Sequence, residues 1–169
     1  RFMGLGNDGL LVSKMSGGLW VVGVGAFMDL VALLESRFGF PGFRGGQQEI
    51  IRHLLSGKDG LVVMPTGSGK SLCFQLPALA LGGLTLVISP LIALMKDQVD
   101  ALHERGIRAT FLNSSLSQAE YGARMEGLKQ GDFELLYVAP ERFSPGFLSF
   151  CKELDIRLFA VDEAHCLSQ

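Results

Sequence analysis

The sequence is poor in the features that would place it in several common classes. It has only three cysteines in 169 residues, Cys73, Cys151 and Cys166, far apart and with no C-x-x-C pair. A disulfide framework or a zinc site built within the chain is therefore not expected, and a reducing cytoplasm is the default setting. Positive charge is not in excess either: 15 Lys and Arg stand against 17 Asp and Glu, a net charge of −2. Any nucleic-acid binding must come from local residues, because the overall field does not supply it. Long apolar runs are also missing. The 14 uncharged residues from Met15 to Met28 fall short of the ~20 that a membrane-spanning helix needs, and glycines interrupt them.

What is present suffices for one folded domain, with 48% hydrophobic and 19% charged residues. The first residue is Arg1 rather than Met, which suggests a processed product or a reading frame cut from something longer. Residues 1–27 are expected to be a poorly structured or non-native extension, with Met28 a plausible natural start. Gly4-Leu5-Gly6-Asn7-Asp8-Gly9 matches the dinucleotide fingerprint G-x-G-x-x-G. Only three residues precede it, so no strand can feed the turn, and the match is set aside.

From Asp29 onward, helical and strand-like stretches alternate. Helical spacing is read over Asp29 to Phe38, around Ile50, Ile51, Leu54 and Leu55, and after Pro90 through Leu91, Leu94, Met95 and Leu102. Ser117-Gln118-Ala119-Glu120 is a capping box that opens another helix, ending at Gly131. Pro77 is expected to limit the regularity of its helix, and residues 140–153 to form helical pieces broken at Pro145-Gly146. Strands are expected at Leu61-Val63, Leu84-Ile88, Ala109-Leu112, Glu134-Val138 and Leu158-Val161. This alternation predicts an α/β domain over residues 28–169, three layers deep, with a parallel sheet and helices on both faces.

Met64-Pro65-Thr66-Gly67-Ser68-Gly69-Lys70-Ser71 lies between a strand and a helix start. That is the form of a phosphate-binding P-loop, in which backbone N–H groups and a helix N-terminus wrap an anion. Thr66, Gly67, Ser68, Gly69, Lys70 and Ser71 would cradle the phosphates of a nucleotide. Lys70 would reach the β/γ-phosphates, and the Ser71 hydroxyl would ligate Mg²⁺. Met64 stands where the consensus has its first glycine. The last strand delivers Asp162-Glu163-Ala164-His165. Nucleotide hydrolysis requires one carboxylate for the metal and one for the attacking water, so Asp162 is assigned to Mg²⁺ and Glu163 to general base. His165 is read as sensing the γ-phosphate.

Together these stretches resemble the RecQ-type superfamily 2 DNA helicases. The likeness rests on Phe38-Gly39-Phe40 with Phe43-Arg44 and Gln47, the P-loop, Ser89-Pro90-Leu91-Ile92-Ala93-Leu94-Met95-Lys96-Asp97-Gln98-Val99, Tyr137-Val138-Ala139-Pro140-Glu141-Arg142 and Asp162-Glu163-Ala164-His165-Cys166. The resemblance implies the first RecA-like domain of an ATP- and Mg²⁺-dependent 3′-to-5′ DNA helicase. It implies that Phe40 stacks on adenine while Arg44 and Gln47 contact the base. It further implies that Ser89, Pro90, Lys96, Asn113, Ser114 and Arg142 track the backbone of single-stranded or forked DNA, which needs no sequence reading. The family continues past the position of Gln169 into an aromatic-rich loop, a second RecA-like domain with arginine fingers, and zinc-binding and winged-helix regions. The expectation is thus an ATP-binding half-motor that does not unwind DNA by itself, in the bacterial cytoplasm or a eukaryotic nucleus, with no membrane partner. Two alternatives remain: an RNA helicase of the DEAH or DEAD-box kind, and a non-catalytic ATP-binding module. The turn carrying Phe40, Arg44 and Gln47 disfavours the first.

Overall fold

The computed structural model describes residues 9–13, 29–65 and 67–163. Thr66, His165 and Cys166 lie outside the described residues, as does most of the extension before Met28.

The five expected strands form at Gly60–Val63 (β2), Leu84–Ile88 (β3), Ala109–Leu112 (β4), Leu135–Val138 (β5) and Ile156–Val161 (β6). Strand β3 pairs in parallel with both β5 and β6, and β4 pairs in parallel with β5. The alternation of side chains across these strands divides the core in two. Val87, Phe111, Leu135, Tyr137, Leu158 and Ala160 face one way, onto helices Leu30–Phe38 (α1), Gln47–Leu55 (α2), Leu72–Leu81 (α3) and Ile92–His103 (α4). Leu84, Leu86, Leu112, Leu136 and Val138 face the other way, onto Gln118–Gln130 (α5) and Pro145–Cys151 (α6). Strands that are apolar on both faces require helices on both, and the three layers follow.

A sixth strand was not anticipated. Gly9–Ser13 (β1), within the expected extension, runs antiparallel between β2 and β6, giving the order β2-β1-β6-β3-β5-β4. Its register sets Gly9 against Val63 and Leu11 against both Leu61 and Val161. The sheet is parallel from β6 to β4 and mixed beyond, where β1 intervenes.

Two prolines behave differently from expectation. Pro77 lies inside α3, which continues past it with Pro77 and Leu76 buried in the core. Pro145 opens α6 rather than breaking it, since proline lacks only an N–H that has no partner in a first turn. Ser144 caps that helix, its hydroxyl accepting from the Phe147 N–H at 3.2 Å.

The capping box at Ser117 forms as its sequence predicts. The Glu120 N–H donates to Ser117 Oγ at 3.3 Å, and the Ser117 N–H donates to Glu120 Oε2 at 2.9 Å. Replacing Ser117 with alanine leaves one first-turn N–H without its acceptor and should cost about 1 kcal/mol. A urea midpoint lowered by that energy divided by the slope, with the slope unchanged, is the expected readout.

Candidate functional site

Strand β2 ends at Val63, and the chain turns through Met64 and Pro65 into the glycine loop. Gly67 and Gly69 adopt φ of 80° and 82°, a region closed to most side chains. Gly69 is required for a second reason: a Cβ there would stand 2.6 Å from Gln47 Nε2. Ser71 stands at the N-cap of α3, yet its hydroxyl makes no capping bond, which leaves it available to a metal. Met64, the departure from consensus, is half-buried and packs against the core, its sulfur 4.0 Å from Cys73 Sγ. Cys73 is itself fully buried, and burial pushes its thiol up to about 11. It is structural and unreactive.

Gln47 ties this loop to the start of α2. It is 3% exposed; its Oε1 accepts from the Arg44 N–H at 2.8 Å, and its Nε2 donates to the carbonyls of Ser68 and Gly69, both at 3.2 Å. In this conformation the whole amide is engaged by the protein, where the sequence reading had it on a base. A shallow pocket opens beside it, lined by Phe40, Arg44, Gln47, Gly67, Ser68 and Leu72. Phe40 and Arg44 are exposed at its rim. An exposed phenylalanine next to a glycine loop is a surface on which a flat base can stack.

On the other side, β6 delivers Asp162 and Glu163. The Asp162 N–H donates to Ile88 O at 2.8 Å, so β3 holds the end of the strand in register. Asp162 is 5% exposed. Burial pushes its carboxyl above the usual range, and the Glu163 charge adds to this; the Glu163 N–H, the Lys70 ammonium and the Gln98 side chain oppose it. Glu163 has φ of 51°, the one non-glycine residue with positive φ among the described residues. That turn lets its N–H reach back to Asp162 Oδ1 at 3.0 Å and brings its Oε1 to 3.9 Å from Lys70 Nζ. Such strain is characteristic of positions that the surroundings hold for a purpose.

Two carboxylates and an ammonium thus meet at the carboxyl end of the sheet, where ligands of open α/β sheets bind, with Ser71 next to Lys70 in the chain. Among the described residues no group of three or more His, Cys, Asp and Glu forms a metal cage. One buried carboxylate beside a phosphate loop is the donor set that suits Mg²⁺, which keeps several waters and takes oxygens from phosphate.

The sign of the Asp162 shift gives a test. Because its folded value lies above the unfolded one, the folded chain binds the proton more tightly. The resulting destabilisation is absent below the unfolded value and complete above the folded one. Asp162→Asn should therefore raise the melting temperature of the metal-free chain at neutral pH while removing Mg²⁺-dependent nucleotide binding. Comparing melting curves with and without Mg²⁺ checks both.

The six residues expected along DNA lie in different settings, four of them in the loops that follow strands and Lys96 on α4. Ser89 follows β3, Asn113 and Ser114 follow β4, and Arg142 follows β5. Ser89 and Asn113 are buried, at 3% and 1% exposure. The Asn113 carboxamide oxygen accepts from Ser115 N–H and Oγ, at 3.0 and 2.7 Å, while its Nδ2 points to Met95 Sδ. Arg142 donates to Asn113 O and lies 5.4 Å over the Tyr121 ring. Lys96 is exposed and paired with Asp100 at 2.5 Å, which raises its ammonium above the ordinary value. Ser114 is exposed and Pro90 half-exposed. Sequence reading also passed over Gln98, Tyr137 and Gln75 as individuals. Tyr137 is fully buried and its hydroxyl accepts from Gln75 Nε2 at 3.1 Å; its titration is pushed up by burial.

Residues 44–169 match the family model of the DEAD/DEAH box helicases. The chain is 50% identical over 140 residues to the ATP-dependent DNA helicase RecQ of Bacillus subtilis, covering 82% of this chain and 24% of that protein. It is 51% identical over 140 residues to the protein of the same name from Haemophilus influenzae, with 82% and 23% covered. With the ATP-dependent helicase wrn-1 of Caenorhabditis elegans it shares 42% identity over 140 residues, 80% and 13% covered. The chain thus spans less than a quarter of the length of these relatives. A glycine loop with its lysine, set against an Asp-Glu pair on a neighbouring part of one sheet, agrees with that match, and the chain belongs to the DEAD/DEAH box helicase family.

Proposed function

We propose that this chain is the ATP-binding motor domain of a DNA helicase that unwinds in the 3′-to-5′ direction. The observation that carries the nucleotide part is the approach of Lys70 to Glu163 across the sheet edge, 3.9 Å between charged atoms, with buried Asp162 alongside. The DNA part is supported by the printed names of the relatives.

In this reading the base stacks on Phe40 beside Arg44, and Gln47 exchanges part of its hold on the loop for the purine edge. The loop N–H groups and Lys70 bind the phosphates. Mg²⁺, when bound, neutralises charge that develops on the β- and γ-phosphate oxygens. Ser71 and Asp162 are the groups that would hold it. Glu163 accepts a proton from the water that attacks the γ-phosphorus, as the bond to the ADP oxygen breaks. The exposed surface of Pro90, Lys96 and Ser114 is offered to a DNA backbone, with Arg142 and Asn113 shaping the loop beneath. A second RecA-like domain completes the site in this reading, and an arginine it supplied would be worth on the order of 10³ to 10⁵ in rate.

Among the described residues no helix is long and apolar enough to cross a membrane. The test is titration with a fluorescent ATP analogue in Mg²⁺, followed by competition of single-stranded DNA against single-stranded RNA for the complex. Saturable nucleotide binding and preference for DNA are expected. Tighter RNA binding would replace the DNA reading with that of an RNA helicase.

A further inference from the structure

The segments that follow β4 and β5 meet beside the start of α5, and one guanidinium joins all three. Arg142 ends the short turn Pro140–Arg142, its N–H donating to Ala139 O at 3.0 Å. Its Nη2 crosses to donate to Asn113 O, and its Cζ stands over the Tyr121 ring, 5.4 Å from the centroid. Tyr121 is rooted in the capped turn of α5: its N–H donates to Ser117 O at 2.9 Å, so the capping box at Ser117 also fixes where the ring begins. The ring is half-buried and packs against the core on that face of the sheet.

The guanidinium occupies an unfavourable spot. Its Nε is completely shielded and, among the described residues, makes no hydrogen bond. A shielded donor without an acceptor is destabilising, so the contacts that remain must outweigh it. Those are one carbonyl and one aromatic face, and attraction between a cation and a ring grows as water is excluded. What they hold is the turn after β4. Asn113 is buried with its carboxamide oxygen accepting from Ser115, while Ser114 between them is exposed. Arg124, on the same helix as Tyr121, clasps the strand itself: its Nη1 donates to Phe111 O at 2.8 Å and its Cζ lies 4.1 Å from the centre of the Phe111 ring. Arg142 extends that clasp to the turn that carries Ser114, and Tyr121 is the side chain that backs it.

We propose that Tyr121 is a positioning residue for DNA binding: its ring holds the Arg142 guanidinium against Asn113 O and so fixes the turn that presents Ser114 to a phosphate backbone. The inference rests on the DNA part of the functional reading above. Backbone contacts of this kind set register and grip without reading bases, so losing the ring weakens binding to any single-stranded sequence alike.

The test compares the wild-type chain with Tyr121→Phe, which keeps the ring, and with Tyr121→Leu and Tyr121→Met, which keep an apolar side chain and remove the aromatic face. Binding of a labelled oligothymidylate and of a fluorescent ATP analogue in Mg²⁺ is measured for each, with melting curves alongside, and Tyr121→Leu is repeated in an Arg142→Met background. Expected for the two aliphatic variants is about a fivefold loss of affinity for the oligonucleotide, with nucleotide binding unchanged and Tyr121→Phe behaving as wild type. In the Arg142→Met background Tyr121→Leu should cost nothing further, since residues that act through one contact are not additive. An equal loss in both backgrounds, a loss in Tyr121→Phe matching that in Tyr121→Leu, or no loss at all would overturn the role of Tyr121. Collapse of folding in both aliphatic variants would overturn it too, by making Tyr121 a packing residue; if Arg142→Met alone fails to fold, the contrast between phenylalanine and leucine decides. Nucleotide binding without oligonucleotide binding in the wild-type chain would instead defeat the DNA reading, and this inference with it.

Discussion

Lys70→Ala is expected to weaken nucleotide binding about 100-fold, roughly 2.7 kcal/mol, while changing the stability of the free chain little. The Lys70 side chain is 10% exposed, and its ammonium stands 3.9 Å from a Glu163 side chain that is 25% exposed. That ion pair is long and reaches solvent on one side, so its loss is partly offset by relief from burying the ammonium. A triphosphate presents several oxygens at hydrogen-bond distance, and charge-assisted bonds there are the strong ones. The comparison is best made by thermal shift. At a nucleotide concentration ~100-fold above the wild-type dissociation constant, wild type gains about 2.7 kcal/mol. The variant, now near its own dissociation constant, gains only about 0.4 kcal/mol by the same relation. An undiminished shift in Lys70→Ala would mean that the loop N–H groups hold the phosphates by themselves.

Phe74→Ala should be the most damaging single truncation in the core. The ring is 0% exposed and meets Tyr137 edge-on, with centroids 6.3 Å apart and planes at 67°. Truncations of this kind cost about 3–5 kcal/mol, because the cavity adds to the lost transfer energy. Whole domains hold only about 5–15 kcal/mol, so this one truncation should remove a large share of the stability. The effect reaches the site as well: Phe74 is in the first turn of α3, whose start holds Lys70 and Ser71. Denaturant titration reads the loss, and a cost under about 1 kcal/mol would show that α3 closes over the gap.

Most of the scaffold was legible because its signals are local. Runs such as Leu84–Ile88 and Leu135–Val138 are nearly all apolar and rich in strand formers, which suits buried parallel strands. The Ser117 box and Gly131 bracket α5 by chemistry that acts within four residues. Prolines were misread where context decided: Pro145 starts a helix because Ser144 caps it, and Pro77 is carried inside α3 by core packing. Strand β1 was invisible because its pairing partners, β2 and β6, are distant in the chain and the residues around it are rich in glycine. At the site, Lys70, Asp162 and Glu163 were readable as types at known spacings. The inward turn of Ser89 and Asn113 and the two-ended hold of Gln47 depend on side-chain direction, which no spacing encodes.

Among the described residues, strand β2, which carries the phosphate loop, pairs with no strand but β1, and β1 joins the rest of the sheet by pairing Val12 with Ala160 and its neighbours. That contact pairs Leu11 with Val161 and so closes nearly the full length of the polypeptide, against the shorter closure of Thr85 with Leu158 between β3 and β6. Long closures carry the larger entropic penalty before any contact rewards them. The phosphate loop and the acidic pair are thus joined within the sheet by its most costly closure, and apart from the sheet by α3, which packs on β6.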